Sequence, residues 1–559
     1  MIDRKMILYV LIGVLAFSLW NAWQKDYGQV EQQNTVATTT SINPAVAPEA
    51  NATVATTPTA QATQAPEARL IKVHTDVLDV AIDTFGGDII HANLLKYPEI
   101  IYKEHATKLL TDDSARYYTA QSGLISNIGP DFVDRQGQYT STSKEYTLSP
   151  GKNNLEVKLL WTNPSGLVVT KTFVFTKEKY DFAVNYEIDN RSKQPWTGQF
   201  YAQIKRKNFD SKGGMFSFNT YTGAAISSAE TPYEKITFSE MEDIAKEKQG
   251  FIRNSQGGWA AMQQRYFLSV WIPQQNKTYR YFSNVNNGLY TIGLSDDVVN
   301  VPAGQKATIA TTLYTGPGVT ENLAPLAIGL DHTVDYGWLW LIASAFFWIL
   351  KKIYLVVGNW GWAIILMTLL IKLAFYKLSE SSCRSMARMR DLMPKMQALK
   401  ERYADDKQKL QQATMDLYKQ EKINPLNLGG CLPMLIQIPF FIALYYVLMG
   451  AVELRHAPFI FWIHDLSAQD PYYVLPILMG LSMVLQQRLS PTSADPMQAK
   501  MMMLMPVIFT AFFLTFPSGL VLYWLLSNIL SILQQWYINK KLAKPKHSKN
   551  IIYESSHKK

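Results

Sequence analysis

Cysteine is nearly absent: of 559 residues only Cys383 and Cys431 are cysteines, and both lie in the C-terminal half. The polar N-terminal half therefore has no disulfide framework, and redox chemistry is not expected. The eight histidines are scattered without metal-ligand spacing, and no Gly-rich Walker A phosphate loop occurs. No metal and no cofactor is expected on those grounds. Fragments suggestive of hydrolysis are short: Ser518 in Pro517-Ser518-Gly519, and His464-Asp465 with Ser467. Such loop-like fragments fit turn and cap roles, and no enzyme is read here.

Charge is scarce over long stretches. The mean hydropathy of −0.06 suits a soluble protein, but it averages two unlike regions. From Ile71 to about Asp331 the sequence is polar and mixed, whereas most of Trp338 to Ile538 consists of apolar runs of the length a bilayer requires. The net charge of +9 sits between and after those runs. It argues topology rather than nucleic acid, and no DNA partner is expected. Lys377 to Lys422 holds eleven Lys/Arg against seven Asp/Glu, and the tail after Asn539 holds seven Lys against one Glu. Both belong on the cytoplasmic side by the positive-inside bias.

The chain divides accordingly. Arg4 and Lys5 precede the apolar Met6 to Trp20, Trp20 and Trp23 stand ready as interface anchors, and no small-x-small cleavage site follows. Residues 1–24 read as an uncleaved signal-anchor helix. Residues 25–69, rich in Gln, Ala, Thr, Val and Pro, lack the apolar side chains to fold alone and read as a flexible linker. Period-two alternation then recurs in Leu78, Val80 and Ile82, in Leu155, Val157 and Leu159, in Phe182 to Ile188, and in Ala307 to Leu313. Turn signals such as Gly86-Gly87 and Asn163-Pro164 separate these runs, so residues 70–330 are expected to form an outer β-sandwich.

Residues 331–358 are apolar and aromatic but interrupted by Lys351 and Lys352, which predicts an amphipathic helix lying in the outer interface. Spans follow near Trp360–Leu378, Leu432–Met449, Tyr472–Leu489, Met501–Phe516 and Gly519–Ile538, five within 359–538 and six with the first. The fold class is thus an α-helical polytopic membrane protein with an all-β outer domain. Threading from a cytoplasmic N-terminus puts the basic block 379–424 and the basic tail 539–559 inside, in agreement with the charge count. Within the block, Met386, Met389, Met393, Met396, Leu399 and Tyr403 recur at helical spacing, as do Leu410, Thr414 and Leu417. A helical hairpin is predicted, with Asp405 or Asp406 capping its second helix.

Lys372 is the first candidate for function. A cation inside a span costs about 2.5–3.5 kcal/mol on insertion scales and usually faces a cavity or partner. It also lies six residues from Leu378, about 9 Å along a helix, so its stem could instead snorkel to the inner interface. Thr368, four residues earlier, shares its face. Gln437, Ser482, Gln486, Thr510, Ser527 and Asn528 add polar groups within spans. They serve either interhelical hydrogen bonds or a wetted cavity. Pro433, Pro439, Pro476, Pro506 and Pro517 permit kinks.

The stretch from Asn424 to Val452, NPLNLGGCLPMLIQIPFFIALYYVLMGAV, resembles the third-span region of the YidC/Oxa/Alb insertase family. So do FWIHDLSAQDPYYVLPILMG from Phe461, MPVIFTAFFLTFPSGLVLYWLLSN from Met505 and SMARMRDLMPKMQALKERYADDKQ from Ser385. TDVLDVAIDTFGGDI from Thr75 matches more loosely the outer domain of the Gram-negative type. The resemblance implies a five-helix core around a hydrophilic groove open to cytoplasm and lipid, a periplasmic supersandwich domain, and residence in the bacterial inner membrane with both termini cytoplasmic. It implies a membrane protein insertase and chaperone whose partners are nascent membrane proteins, the Sec translocon, SecDF, ribosomes and the lipid bilayer.

By the same resemblance Lys372 is the groove cation, a position where Arg is common, and Thr368 and Trp524 match groove-lining positions, Trp524 where Tyr is frequent. The groove set expected is Lys372, Thr368, Trp524, Tyr523, Gln437 and Ser527. The substrate's apolar segment is expected to slide past Leu435, Ile438, Phe441 and Ile442 on one span and Met505 and Phe509 on another. Lys377 stands where the family commonly has Pro, which predicts a straighter lower end for the Lys372 helix. The basic tail could touch ribosomal RNA or anionic lipid. A transporter would show two halves with repeated hydropathy, which the sequence lacks. A glycan enzyme would need converging carboxylates in the outer domain.

Overall fold

The computed structural model describes residues 67–101, 105–132, 136–209, 221–246, 251–403, 406–420, 432–489 and 496–542. The expected signal-anchor helix, nearly all of the linker and most of the basic tail lie outside them. The chain forms two compact units, one running up to Asp335 and including Met449–Val452, the other made of Tyr336–Leu448 and the chain from Glu453.

The first unit is built of two sheets, ten- and nine-stranded, antiparallel except where Leu70–His74 pairs with Glu145–Thr147. Every alternating run read from sequence is a strand here. Phe182 pairs with Leu313 and with Phe175, so the inward residues of three neighbouring strands share one face. Sheets whose inner faces are both apolar bury them against each other. The contacts across the layers are explicit: Tyr186 meets Phe200 edge-on at 5.7 Å, Trp271 Nε1 donates to the Gln203 carbonyl at 3.0 Å, and Tyr118 Oη donates to the Met262 carbonyl at 2.8 Å. A helix, α1 (Phe238–Lys246), caps part of this unit and buries Phe238 and Met241, and one short helical turn, Thr320–Leu323, follows the last strand.

One inward position of the strand Leu167–Thr176 is not apolar. In Leu167–Thr176 the buried residues are Leu167, Val169, Lys171, Phe173 and Phe175, so Lys171 keeps the alternation in phase while placing an ammonium in the core. Its Nζ donates to the carbonyls of Gly86 at 3.1 Å, Gly87 at 2.8 Å and Ser122 at 2.8 Å, the satisfaction a buried cation requires. Two buried carboxylates accompany it. Asp131 accepts from the Leu124 and Gly137 amides, and Asp88 Oδ2 accepts from the side chains of Gln121 and Gln136.

The second unit is helical: α2 (Trp340–Val357), α3 (Trp360–Ala374), α4 (Tyr376–Arg402), α5 (Lys407–Gln420), α6 (Leu432–Gly450), α7 (Val474–Leu489), α8 (Pro496–Phe513) and α9 (Ser518–Leu542). α2 alone among the described helices is long and apolar enough to cross a bilayer by itself, and α3 with the start of α4 passes as a bent pair. The apolar stretches Gln437–Gly450, Val474–Leu489 and Lys500–Phe513 are shorter. The hairpin read from sequence is α4 and α5, and Asp406 Oδ1 accepts from the Lys409 amide at 3.1 Å as an N-cap does; Asp405 lies outside the described residues.

One expectation is overturned. The lower end of the Lys372 helix is not straight: α3 and the start of α4 meet at 60°. No proline makes the bend. Phe375 adopts φ −93° and ψ 11°, closing α3 with its amide on the Ile371 and Leu373 carbonyls, while its ring sits edge-on to Phe440 at 5.1 Å. That ring packs against α6 at the bend.

Candidate functional site

α3 starts cleanly because the Asn359 side chain accepts from the Trp362 amide at 3.2 Å, satisfying one of the unpaired donors of a helix N-terminus. Thirteen further residues bring Lys372 to its last turn, just above the bend. A cation is favourable there, near the negative end of the helix dipole. The side chain is half-buried and Nζ donates to Ser531 Oγ of α9 at 2.8 Å. Ser531 Oγ in turn donates to the Ser527 carbonyl at 2.8 Å, and Ser527 Oγ accepts from Gln437 Nε2 of α6 at 2.8 Å. Three helices thus meet through one polar chain.

The chain borders a partly open pocket lined by Lys372, Gln437, Tyr523 and Ser379 among apolar Ile371, Phe375 and Phe440. Among the described residues Lys372 has no carboxylate partner, and Glu380, one turn into α4, is engaged by Arg384 at 2.5 Å. A cation with a hydroxyl as its only described acceptor keeps donors free for an incoming anion.

Of the six groove candidates, Lys372, Gln437 and Tyr523 line this pocket and Ser527 joins them by hydrogen bonding. Thr368 does not line it. Only 1% exposed, its Oγ1 donates at 2.7 Å to the Ile364 carbonyl of its own helix. Trp524 packs elsewhere too, 4.8 Å from Phe441, 5.2 Å from Phe513 and 6.2 Å from Phe509. That cluster joins α6, α8 and α9 and contains two of the residues read as the slide. Ile438 and Met505 are exposed, Ile442 is half-buried, and the Leu435 side chain lies outside the described residues. Along α8, Met501 to Met505, Val507 and Ile508 are exposed and apolar on all sides of the helix.

Sequence reading missed Ser531. The signal was present, since Ser531 stands one turn after Ser527 on the same face of α9. Asn528, Ser482 and Thr510 are engaged within the bundle: Asn528 Nδ2 donates to Ser482 Oγ at 3.0 Å, and Thr510 Oγ1 donates back to the Pro506 carbonyl at 2.7 Å. Ser518, Asp465 and Ser467 are turn and cap residues. Asp465 Oδ1 accepts from the Ser467 amide and hydroxyl, each at 2.7 Å, and Ser518 Oγ donates to the Asp465 carbonyl at 2.8 Å.

Apolar helices bearing a cation-lined pocket, on a chain that also carries a large β-sandwich, fit a membrane protein with a separate sheet domain. Family comparison agrees. Residues 70–349 match the model of the YidC periplasmic domain and residues 352–546 that of the 60Kd inner membrane protein. The chain is 48% identical over 555 residues to the membrane protein insertase YidC of Coxiella burnetii (strain Dugway 5J108-111), covering 96% of each. It is 46% identical over 557 residues to that of Legionella pneumophila (strain Corby), covering 98% of this chain and 99% of the other. A crystal structure of an active YidC insertase with its first transmembrane domain resolved is 19% identical, covers 84% of this chain and 92% of the other, and gives a TM-score of 0.39. The chain belongs to the YidC membrane protein insertase family, whose members are insertases and not enzymes.

Proposed function

We propose that this chain inserts nascent inner-membrane proteins into the lipid bilayer through the pocket around Lys372, alone or with the Sec translocon and SecDF, receiving substrates from ribosomes. One observation carries the reading. A cation sits in the last turn of an otherwise apolar helix, and its described partner is a hydroxyl rather than a carboxylate. The acidic, hydrophilic tail of a short substrate enters the pocket, where the ammonium offsets the cost of bringing carboxylates out of water. The substrate's apolar segment then moves along the exposed faces of α6 and α8 into lipid. No nucleotide is required, because burying some twenty apolar residues in hydrocarbon is itself downhill.

In this reading six segments span the membrane: residues 1–24, α3 with the start of α4, α6, α7, α8 and α9. The sandwich faces the periplasm, and α4, α5 and the basic tail face the cytoplasm, as the Lys/Arg distribution favours. α2 lies in the outer interface. Lys351 and Lys352, 5.9 and 5.8 Å from the Phe347 and Trp348 ring centroids, support that position, where a ring and a cation share one boundary.

The test is insertion of a small phage-coat-like or ATP-synthase c-type substrate into vesicles holding the purified protein. Parent, Lys372→Ala and Lys372→Arg are compared at equal abundance. Loss of insertion with Ala and its retention with Arg are expected. Insertion by Lys372→Ala at the parent rate would mean that the side chain only snorkels, and this mechanism would fall.

A further inference from the structure

The loop from Ala451 to Tyr473, which joins α6 to α7, presents aromatic side chains outward in a way a mere connection does not require. Phe461 is 81% exposed and Tyr472 68% exposed, and Tyr473 is exposed as well. Phe461 stacks on Trp462 with ring centroids 6.0 Å apart.

The loop is rigidly built. Asp470 Oδ1 accepts from Trp462 Nε1 and the Tyr472 amide, each at 3.0 Å, and Oδ2 accepts from the Leu475 amide at 2.7 Å. The Ser518 and Gly519 amides donate to the Ala468 and Leu466 carbonyls at 2.7 and 3.0 Å, stapling the loop to the start of α9. Phe461 and Tyr473 are held at φ 54° and 57°, the left-handed region that bulky side chains avoid. Glycine or asparagine would relieve that strain. Bulky aromatics held there by a hydrogen-bonded frame point to a role for their outward aim.

The exposed surface continues along α7. Tyr473, Ile477, Leu481 and Leu485 recur at every fourth residue, and all four are exposed. They form one stripe about 18 Å long at the helical rise. α7 spans 16 residues, about 24 Å against a hydrocarbon core of about 30 Å, so residues just beyond its start remain within reach of the lipid boundary. Aromatic side chains partition to that boundary, Trp and Tyr with a polar edge toward the headgroups and Phe by burying its ring at the acyl side.

Resting on the membrane-spanning reading of α7, we propose that Phe461, Trp462 and Tyr472 form a preformed aromatic anchor that inserts into the headgroup–acyl boundary of the outer leaflet. The occupant of this face is lipid. The rigid frame holds the outer end of α7 at a fixed depth while the cytoplasmic side admits substrate.

The test is spin-label accessibility in the full chain, with Cys383→Ala and Cys431→Ala as background, in phosphatidylethanolamine–phosphatidylglycerol vesicles. Phe461→Cys and Tyr472→Cys carry the labels. Ile477→Cys serves as the lipid-facing reference and Val298→Cys, exposed on the sandwich, as the aqueous one. Labels at 461 and 472 are expected to favour oxygen over a water-soluble nickel chelate, as at 477 and opposite to 298. If 477 reads lipid while 461 and 472 read aqueous, the anchor is wrong and the span stands. If 461 and 472 are shielded from both reagents, a protein partner covers them and the lipid assignment fails. An aqueous reading at 477 would overturn the spanning reading and the anchor together.

Discussion

Lys372 Nζ donates to Ser531 Oγ at 2.8 Å, and the same hydroxyl is already donating to the Ser527 carbonyl. The back-bond commits the Ser531 proton to its own helix and leaves an oxygen lone pair aimed at the ammonium. Ser531 is therefore a positioning residue, holding the cation against α9 beside the pocket. Ser531→Ala removes one hydrogen bond to a charged donor, and water can replace part of it, so insertion should slow roughly threefold to tenfold. Ser531→Thr keeps the hydroxyl and the back-bond and should insert at near the parent rate. A general packing role would instead make the bulkier Thr the worse variant.

If Lys372 acts by charge, its importance depends on the substrate. A tail whose Asp and Glu are replaced by Asn and Gln offers no anion to pair, so the gap between parent and Lys372→Ala should shrink toward zero for that tail. Insertion assays with matched acidic and neutral tails measure this directly. An equal gap for both tails would point to shape or hydration at position 372 rather than charge.

How far the sequence foretold this site depends on which physical rule governs each residue. Lys372, Gln437 and Ser527 were legible because a polar group within an apolar run needs a partner wherever the run ends up. Ser531 was less conspicuous, lying close to the polar end of α9. Trp524 is expected at the groove from the family resemblance alone, and its ring neighbours Phe441, Phe509 and Phe513 could not be read from spacing, because ring packing depends on the fold. The bend after Ala374 carries no proline or glycine, and the contact found at it, Phe375 with Phe440, joins residues 65 apart in sequence. The strands of the sandwich were plain from alternation. Lys171 escaped notice even though it falls in phase with Leu167, Val169, Phe173 and Phe175, because an in-phase lysine looks like an interruption until carbonyls are placed around it.

α7 and α8 approach closely at Gly480. A Cβ built there would lie 2.0 Å from Thr510 Oγ1 and 3.2 Å from Thr510 Cβ. Gly480→Ala should therefore force the helices apart and destabilise the bundle by about 1–3 kcal/mol. Adding Thr510→Ala removes the closest atom and should recover much of the loss. Thermal unfolding in detergent of the two single variants and the double variant checks this as a cycle, with coupling expected because the two residues touch.

The last prediction concerns the buried charges of the sandwich. Burial pushes the Asp88 carboxyl up from 3.8 to about 6, against the opposing pull of Lys171, Gln136, Lys205 and Gln121. Burial likewise raises Asp131 and lowers Lys171, its neighbours in the core. Folded Asp88 keeps its proton to about pH 6, whereas the unfolded chain releases it near 3.8. Between those values the folded state binds more protons, so stability is greatest at the acid end and falls as pH rises through the window. At 1.36 kcal/mol per unit the loss from this residue amounts to about 3 kcal/mol by neutral pH. Asp88→Asn can present an oxygen to Gln121 and Gln136 and has no proton to lose. Its unfolding midpoint should fall less than the parent's between pH 4.5 and pH 7 and exceed it at pH 7. Asp131 and Lys171 both feel the charge of Asp88, so the difference between the two curves reports Asp88 together with the shifts its charge imposes on these neighbours. Parallel curves would mean that Asp88 releases its proton at an ordinary pH inside the core, and that the ammonium of Lys171 fully offsets its burial.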